Sequence, residues 1–194
     1  MVVHIVYAHP SDDSFTRQAR DSFVKGLKAA GHTIILSDLY AMGFRTDMSE
    51  EEYLREANYR NDLPVSADVF QEQEKINRSD AIVFIYPVFW TEAPAKLVGW
   101  FDRVWTYGFA YGKRTMRQLK KGLVMIITGH TMETLQAYGH LDSMKTVMLG
   151  DRLYDRVDHK EMIILDGMSR QEGQPRAQNA DRHLETAYQA GLTF

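Results

Sequence analysis

The chain has 194 residues, 44% of them hydrophobic and 25% charged, with a formal net charge of -3 and no cysteine. That length accommodates one domain with a sizeable core. The mild acidity argues against the basic face of a nucleic-acid binder, and the missing cysteines exclude disulfides, thiolate metal sites and a cysteine nucleophile. The opening Met1-Val2-Val3-His4-Ile5-Val6 has neither the charged start of a signal peptide nor a run long enough to span a bilayer. A soluble, cytoplasmic protein with no membrane span is the expectation.

Val2 to Tyr7 is mostly apolar and β-branched and predicts a first strand. The polar turn His9-Pro10-Ser11-Asp12-Asp13-Ser14 follows, and Phe15, Ala19, Phe23, Leu27 and Ala30 then mark the buried side of a helix that stops at Gly31. Thr33 to Leu36 predicts a second strand. Asp38 to about Ser66 is a long excursion without a sheet-forming run, although Ser49 to Glu56 suits a short charged helix; excursions of this length are usually functional or mobile. A helix from about Ala67 to Asn77 leads into Ala81-Ile82-Val83-Phe84-Ile85-Tyr86. That continuous apolar run suits a strand buried on both faces of a parallel sheet.

Pro87 ends this central strand, and Pro94 is placed to open a helix whose buried face carries Leu97, Val98, Phe101, Val104 and Trp105. Gly112 to Lys121 reads as a polar, basic connection, Leu123 to Ile127 as a fourth strand, and the residues to Asp142 as a loop. A helix using Met144, Val147 and Met148, a fifth strand at Met162 to Leu165 and a closing helix from Pro175 to Ala190 complete the chain. Strands alternating with helices predict an α/β three-layer sandwich over residues 1–194, with a five-stranded parallel sheet ordered 2-1-3-4-5.

In that order the loops after strands one, three and four converge at the carboxyl edge, beside the switch point where ligands bind. The first offers His9, Ser14 and Thr16 at a helix N-terminus, a setting that favours an anion, although Ser14 also suits a plain N-cap and His9 a plain turn residue. The second offers Pro87, Val88, Phe89 and Trp90, able to sandwich a flat heterocycle. The third offers Thr128-Gly129, where glycine permits close backbone approach. Neither GxGxxG nor GxxxxGKS appears, which argues against a dinucleotide fingerprint or a P-loop. A phosphoacceptor regulator needs an acidic pair directly after strand one and an aspartate ending strand three; this chain has His9-Pro10 and Tyr86-Pro87 there, so that reading is dismissed. A phosphate at the first loop and a planar ring against the others is a flavin-shaped arrangement.

Three segments, AHPSDDSFT (Ala8 to Thr16), DLYAMGF (Asp38 to Phe44) and YPVFWTEAPAKLVGWFDRVWTYGFAY (Tyr86 to Tyr111), resemble the NAD(P)H:quinone oxidoreductases of the flavodoxin-like fold. The resemblance implies a flavoenzyme, usually a homodimer with sites at the subunit interface, performing two-electron ping-pong hydride transfer from NAD(P)H to quinones or related electrophiles. It implies that His9, Ser14, Phe15 and Thr16 hold the flavin phosphate, and that Pro87, Val88, Phe89, Trp90 and Thr91 hold the isoalloxazine with Thr128 and Gly129 on its other edge. Trp90, Tyr111 and His130 would line the acceptor pocket, and Gln71 or Gln73 would supply a polar contact.

The family's TTGG is Ile127-Thr128-Gly129-His130 here, and its tyrosine and histidine at the flavin N1/O2 side fall in METLQAYGHLD. Tyr138 and His140 are the candidates there, with His130 the competitor, because the chemistry needs a donor against charge at that edge. Longer excursions accompany FAD in this family, so FAD is favoured over FMN. Two other readings share the fold: a flavin-binding ancillary subunit of a partner such as a potassium-efflux system, and a one-electron carrier.

Overall fold

The computed structural model describes residues 1–171 and 176–194. Five strands, β1 (Val2–Tyr7), β2 (Thr33–Asp38), β3 (Ala81–Pro87), β4 (Leu119–Ile127) and β5 (Val157–Leu165), pair in parallel in the order β2-β1-β3-β4-β5. The expected order and α/β class therefore hold. β1 and β3 lie inside the sheet with helices on both faces, which is why their sequences are continuous apolar runs without alternation.

One layer is formed by α1 (Phe15–Ala29) and α7 (Arg176–Leu192), which bury Phe15, Phe23, Leu27 and Ala187 against Val3, Ile5, Val83, Ile85 and Met125. The opposite layer carries α3 (Ala67–Asn77) and α4 (Ala95–Val104), with Ile76, Leu97, Trp100 and Phe101 packed on Ile82, Phe84 and Ile126. The excursion after β2 contains α2 (Glu50–Ala57), opened by a Ser49/Glu52 capping box. Gly31 lies one residue beyond the C-cap of α1 with φ +78, the left-handed position that terminates a helix.

Several boundaries differ from the sequence reading. β4 starts at Leu119 and β5 at Val157, so part of the basic connection is strand. The stretch read as a loop to Asp142 contains α5 (Met132–Ala137) and the start of α6 (His140–Lys145), which runs into a π-helical segment at Thr146–Arg152. Pro94 is the N-cap of α4 rather than its first helical residue, with ψ 144. The expected start of the last helix at Pro175 lies outside the described residues.

Two polar networks lock the helices onto the sheet. His4, fully buried in β1, has Nε2 2.9 Å from Ser37 Oγ, and Ser37 in turn donates to Glu72 Oε1 at 3.0 Å. Glu72 also accepts from Lys75 and, at 2.9 Å, from Trp100 Nε1, so this carboxylate inside the core is hydrogen-bonded on both oxygens. Arg103 is likewise buried and reaches Glu52, Asp68, Ser66 and the Arg45 carbonyl, pinning the excursion to α3 and α4. The excursion is thus tied down.

On the other face α1 and α7 touch backbone to backbone. A Cβ on Gly26 would sit 2.1 Å from the Tyr188 carbonyl oxygen, and one on Gly191 would sit 2.2 Å from that of Phe23. Gly26→Ala is expected to cost about 2–3 kcal/mol through overpacking, read as a lowered midpoint in urea unfolding with an unchanged slope.

Burial pushes the His4 pKa down from 6.5 to about 4. Between those values the unfolded chain binds a proton that the folded chain refuses. This contribution to stability is therefore complete above pH 6.5 and is lost as pH falls toward 4, by up to about 3 kcal/mol. His4→Gln should flatten that limb of the stability–pH curve; parallel curves for the two proteins would assign it to other groups.

Candidate functional site

The β1 turn sets the first wall of a cleft of about 530 Å³ at the carboxyl edge of the sheet. Ser14 is the N-cap of α1: its Oγ accepts from Arg17 N–H at 3.1 Å, and its carbonyl takes the N–H of Gln18. The N–H groups of Phe15 and Thr16 have no intrahelical acceptor and lie at the positive end of the α1 dipole. His9, Ser14, Phe15 and Thr16 all line this cleft. His9 Nδ1 sits 3.0 Å from the Ser11 N–H and 2.9 Å from the Ser11 carbonyl. Burial lowers the His9 pKa, which favours the neutral ring. With Nδ1 accepting from Ser11 N–H, Nε2 carries the proton and is free to donate. Asp12 turns away to pair with Arg17 at 2.9 Å, whereas Asp13 stays on the cleft wall.

The second wall leaves β3. Val88 N–H donates to the Ile127 carbonyl at 2.9 Å, carrying one more rung of the sheet beyond Pro87. Phe89 and Glu92 then exchange two backbone hydrogen bonds, of 2.8 and 2.9 Å, across a two-residue turn made by Trp90 and Thr91. Both turn residues are left-handed, with φ 52 and 65, a conformation that costs bulky and β-branched side chains of the order of 1–3 kcal/mol each. Trp90 is thereby held out, 99% exposed. Pro87, Val88 and Phe89 line the first cleft; Trp90 instead lines a neighbouring one, with Phe89, Met48 and Val98.

The third wall is Ile127-Thr128-Gly129. Thr128 Oγ1 donates to the His130 carbonyl at 2.8 Å, so toward a ligand this hydroxyl can only accept. A fourth segment, absent from the sequence reading, closes the site after β5. Gly167 and Met168 donate to the carbonyls of His130 and Thr128, both at 2.9 Å, and bring Arg170 and Arg176 to the cleft. Arg176 Nη1 donates to the Met168 carbonyl at 2.8 Å and its guanidinium lies 5.9 Å from the Phe15 ring centroid. These two cations give the cleft the charge that the β1 turn lacks.

Not every anticipated residue is here. His130 is exposed beyond the cleft rim. Tyr138, 73% exposed, and His140 stack on one another at 5.8 Å at the α5–α6 junction, outside the cleft. Tyr111 donates to Glu56 at 2.9 Å in a different cleft, beneath α4. Gln73 is buried and donates to Val104 and Thr106, while Gln71 is exposed, so neither faces the cleft. The excursion contributes nothing to the first cleft; Thr46, Asp47 and Met48 wall the one beside Trp90.

A family model described as a flavodoxin-like fold matches residues 1–188. Among solved structures, an NAD(P)H:quinone oxidoreductase from Methanothermobacter marburgensis is 46% identical with a TM-score of 0.93, covering 100% of this chain and 96% of its own. Rat NAD(P)H dehydrogenase [quinone] 1 is 33% identical over 162 residues, which are 74% of this chain and 59% of the relative. This chain spans about half the length of the curated relatives it matches. The general stress protein 14 of Treponema denticola, solved in complex with FMN, has a TM-score of 0.69 at 22% identity over 100% of this chain and 98% of its own, and shares the fold.

The turn that exposes Trp90 is generated locally and should respond locally. Thr91→Gly relieves one left-handed residue and is expected to stabilise the fold by about 1 kcal/mol, measured as a raised urea midpoint. No gain would mean that the turn carries no strain.

Proposed function

The chain belongs to the flavodoxin-like family of NAD(P)H:quinone oxidoreductases, and on that premise we propose that it is a flavin-dependent NAD(P)H:acceptor oxidoreductase that reduces quinones or related electrophiles by two-electron, ping-pong hydride transfer. One observation carries the reading: an anion seat at the N-terminus of α1, apolar loop residues after β3 and the Thr128-Gly129 edge meet in a single cleft. These residues fit a flavin. The N–H groups of Phe15 and Thr16, the hydroxyls of Ser14 and Thr16 and the Nε2–H of His9 would hold its phosphate. Pro87, Val88 and Phe89 would give the ring one wall, with the Trp90-Thr91 turn beyond them.

The bound flavin supplies the hydride relay; the protein's part is to position it, to exclude water and to offset negative charge at its N1/O2 edge. Tyr138 and His140 are the proposed donors for that charge, and His130 the rival. FAD is favoured over FMN on grounds different from the length of the excursion, which lies away from this cleft. Arg170 and Arg176 add two cations next to a seat that one phosphate would fill, the charge a diphosphate calls for.

Exposed Trp90 at the site and Tyr111 under α4 support a homodimer with its sites at the subunit interface, Trp90, Tyr111 and His130 serving the acceptor. Among the described residues no helix is long and apolar enough to cross a membrane. A reaction that draws on NAD(P)H supports a cytoplasmic location.

Purified protein is expected to show flavin absorption bands and to oxidise NAD(P)H with menadione; a colourless protein that takes up neither FAD nor FMN would refute the reading. Arg170→Gln should weaken FAD about tenfold and FMN much less, since a hydrogen bond to a charged group is worth about 1.5–3 kcal/mol. Equal losses for the two cofactors, measured by fluorescence titration of the apoprotein, would return the choice to FMN.

A further inference from the structure

A second cleft, of about 450 Å³, lies beneath α4 and shares no lining residue with the first. Its walls include Phe101, Trp105 and Tyr111, with Arg152 and Arg156 across from them. The Arg152 guanidinium lies 4.4 Å from the Phe101 ring centroid, and that of Arg156 lies 5.8 Å from the ring of Trp105. Arg156 is held by backbone carbonyls: Nε donates to Ala110 at 3.1 Å and Nη1 to Asp151 at 3.0 Å.

Arg152 is different. Its Nε is buried with no acceptor, and among the described residues neither its side chain nor that of Arg156 forms an ion pair. Carboxylates are near but otherwise placed. Glu56 is taken by Arg55, by the Tyr107 N–H at 2.7 Å and by the Tyr111 hydroxyl, while Asp102 and Asp151 stand exposed at the rim. The buried Nε is closed off from the cleft, but the two terminal nitrogens of Arg152 form no hydrogen bond among the described residues and are the donors that an anion in the cleft can reach. Planar aromatic walls beside a planar five-donor fork define the complement: a flat ring system carrying an oxyanion.

We propose that Arg152, seconded by Arg156, makes this cleft a specificity site for planar aromatic acids, so that the preferred acceptors are quinones bearing a carboxylate or sulfonate. The cleft joins the surface beside Trp90 through Met48 and Asp102, which line both. Its role in acceptor choice rests on the oxidoreductase reading, whereas the binding itself does not. The π-helical segment that ends at Arg152 supplies the irregular backbone on which such sites recur.

The test uses a redox-inert probe. Flavin-loaded protein is titrated calorimetrically with 2-naphthoate and with its neutral counterpart 2-naphthalenemethanol. The acid should bind at least tenfold more tightly, and both Arg152→Gln and Arg152→Lys should erase most of that preference while leaving flavin content unchanged. Arg152→Met keeps packing against Phe101 and should melt no lower than the parent, because it removes a donor that has no acceptor. Equal binding of acid and alcohol, or a preference that survives Arg152→Gln, overturns the proposal. So does conversion of a dimeric parent to a monomer by Arg152→Gln without any naphthoate binding, which would make Arg152 an interface residue. Menadione turnover reports separately on the oxidoreductase reading: preference without turnover removes that reading and leaves the site, and turnover without preference does the reverse.

Discussion

The direct pairing of β1 with β3 is the constraint from which the site follows. Their register puts Tyr7 beside Ile85, so both strands finish at the same edge. From there β1 continues into α1 on one face, while the chain after β3 folds toward α4 on the other. Two neighbouring strands that send their connections to opposite faces leave a gap that no crossover covers. Backbone hydrogen bonds from Val88 to Ile127 and from Met168 to Thr128 then hold the outer loops in place around that gap. The cleft is a consequence of topology, and the side chains decide only what it binds.

That division explains what could be read from the residues alone. β1 and β3 announce themselves because strands buried on both faces must be apolar throughout, and nothing in the sequence competes with that signal. Only Leu123 to Ile127 of β4 and Met162 to Leu165 of β5 carry a continuous apolar run. Asp158 to Glu161 is exposed because β5 is the edge strand, so it lacks an apolar pattern, and Lys120 and Lys121 of β4 lie at the same end. α5 and α6 are six residues each and bury at most two side chains, too few to generate a periodicity.

The site divides in the same way. Residues contributed by the strand-ending loops, from His9 to Thr16, from Pro87 to Phe89 and at Thr128 and Gly129, were accessible to a rule about sheet edges. Arg170 and Arg176 were not. Arg170 reaches the cleft on the segment that Gly167 and Met168 tie to His130 and Thr128, and Arg176 at the start of α7, which docks on α1 through a glycine-to-glycine crossing at residues 26 and 191. β5 also ends at that edge, and Gly167 follows it with φ +62. Tyr138 and His140 sit at the junction of two short helices that leave no periodic signal, so a family pattern alone does not locate them relative to the cleft.

The excursion shows how length misleads when position is unknown. A segment without sheet-forming residues looks free to fold over a ligand, yet Arg103 fixes this one. A fully buried guanidinium must have its donors met, and Glu52, Asp68, Ser66 and the Arg45 carbonyl meet them. Removing one partner of such a buried pair costs about 3–5 kcal/mol, far more than an exposed pair is worth. The guanidinium therefore holds the excursion against α4, and Thr46 to Met48 follow as the wall beside Trp90. Met48 also faces the cleft of Arg152. The segment whose length suggested FAD is physically a wall shared by two clefts, through Met48.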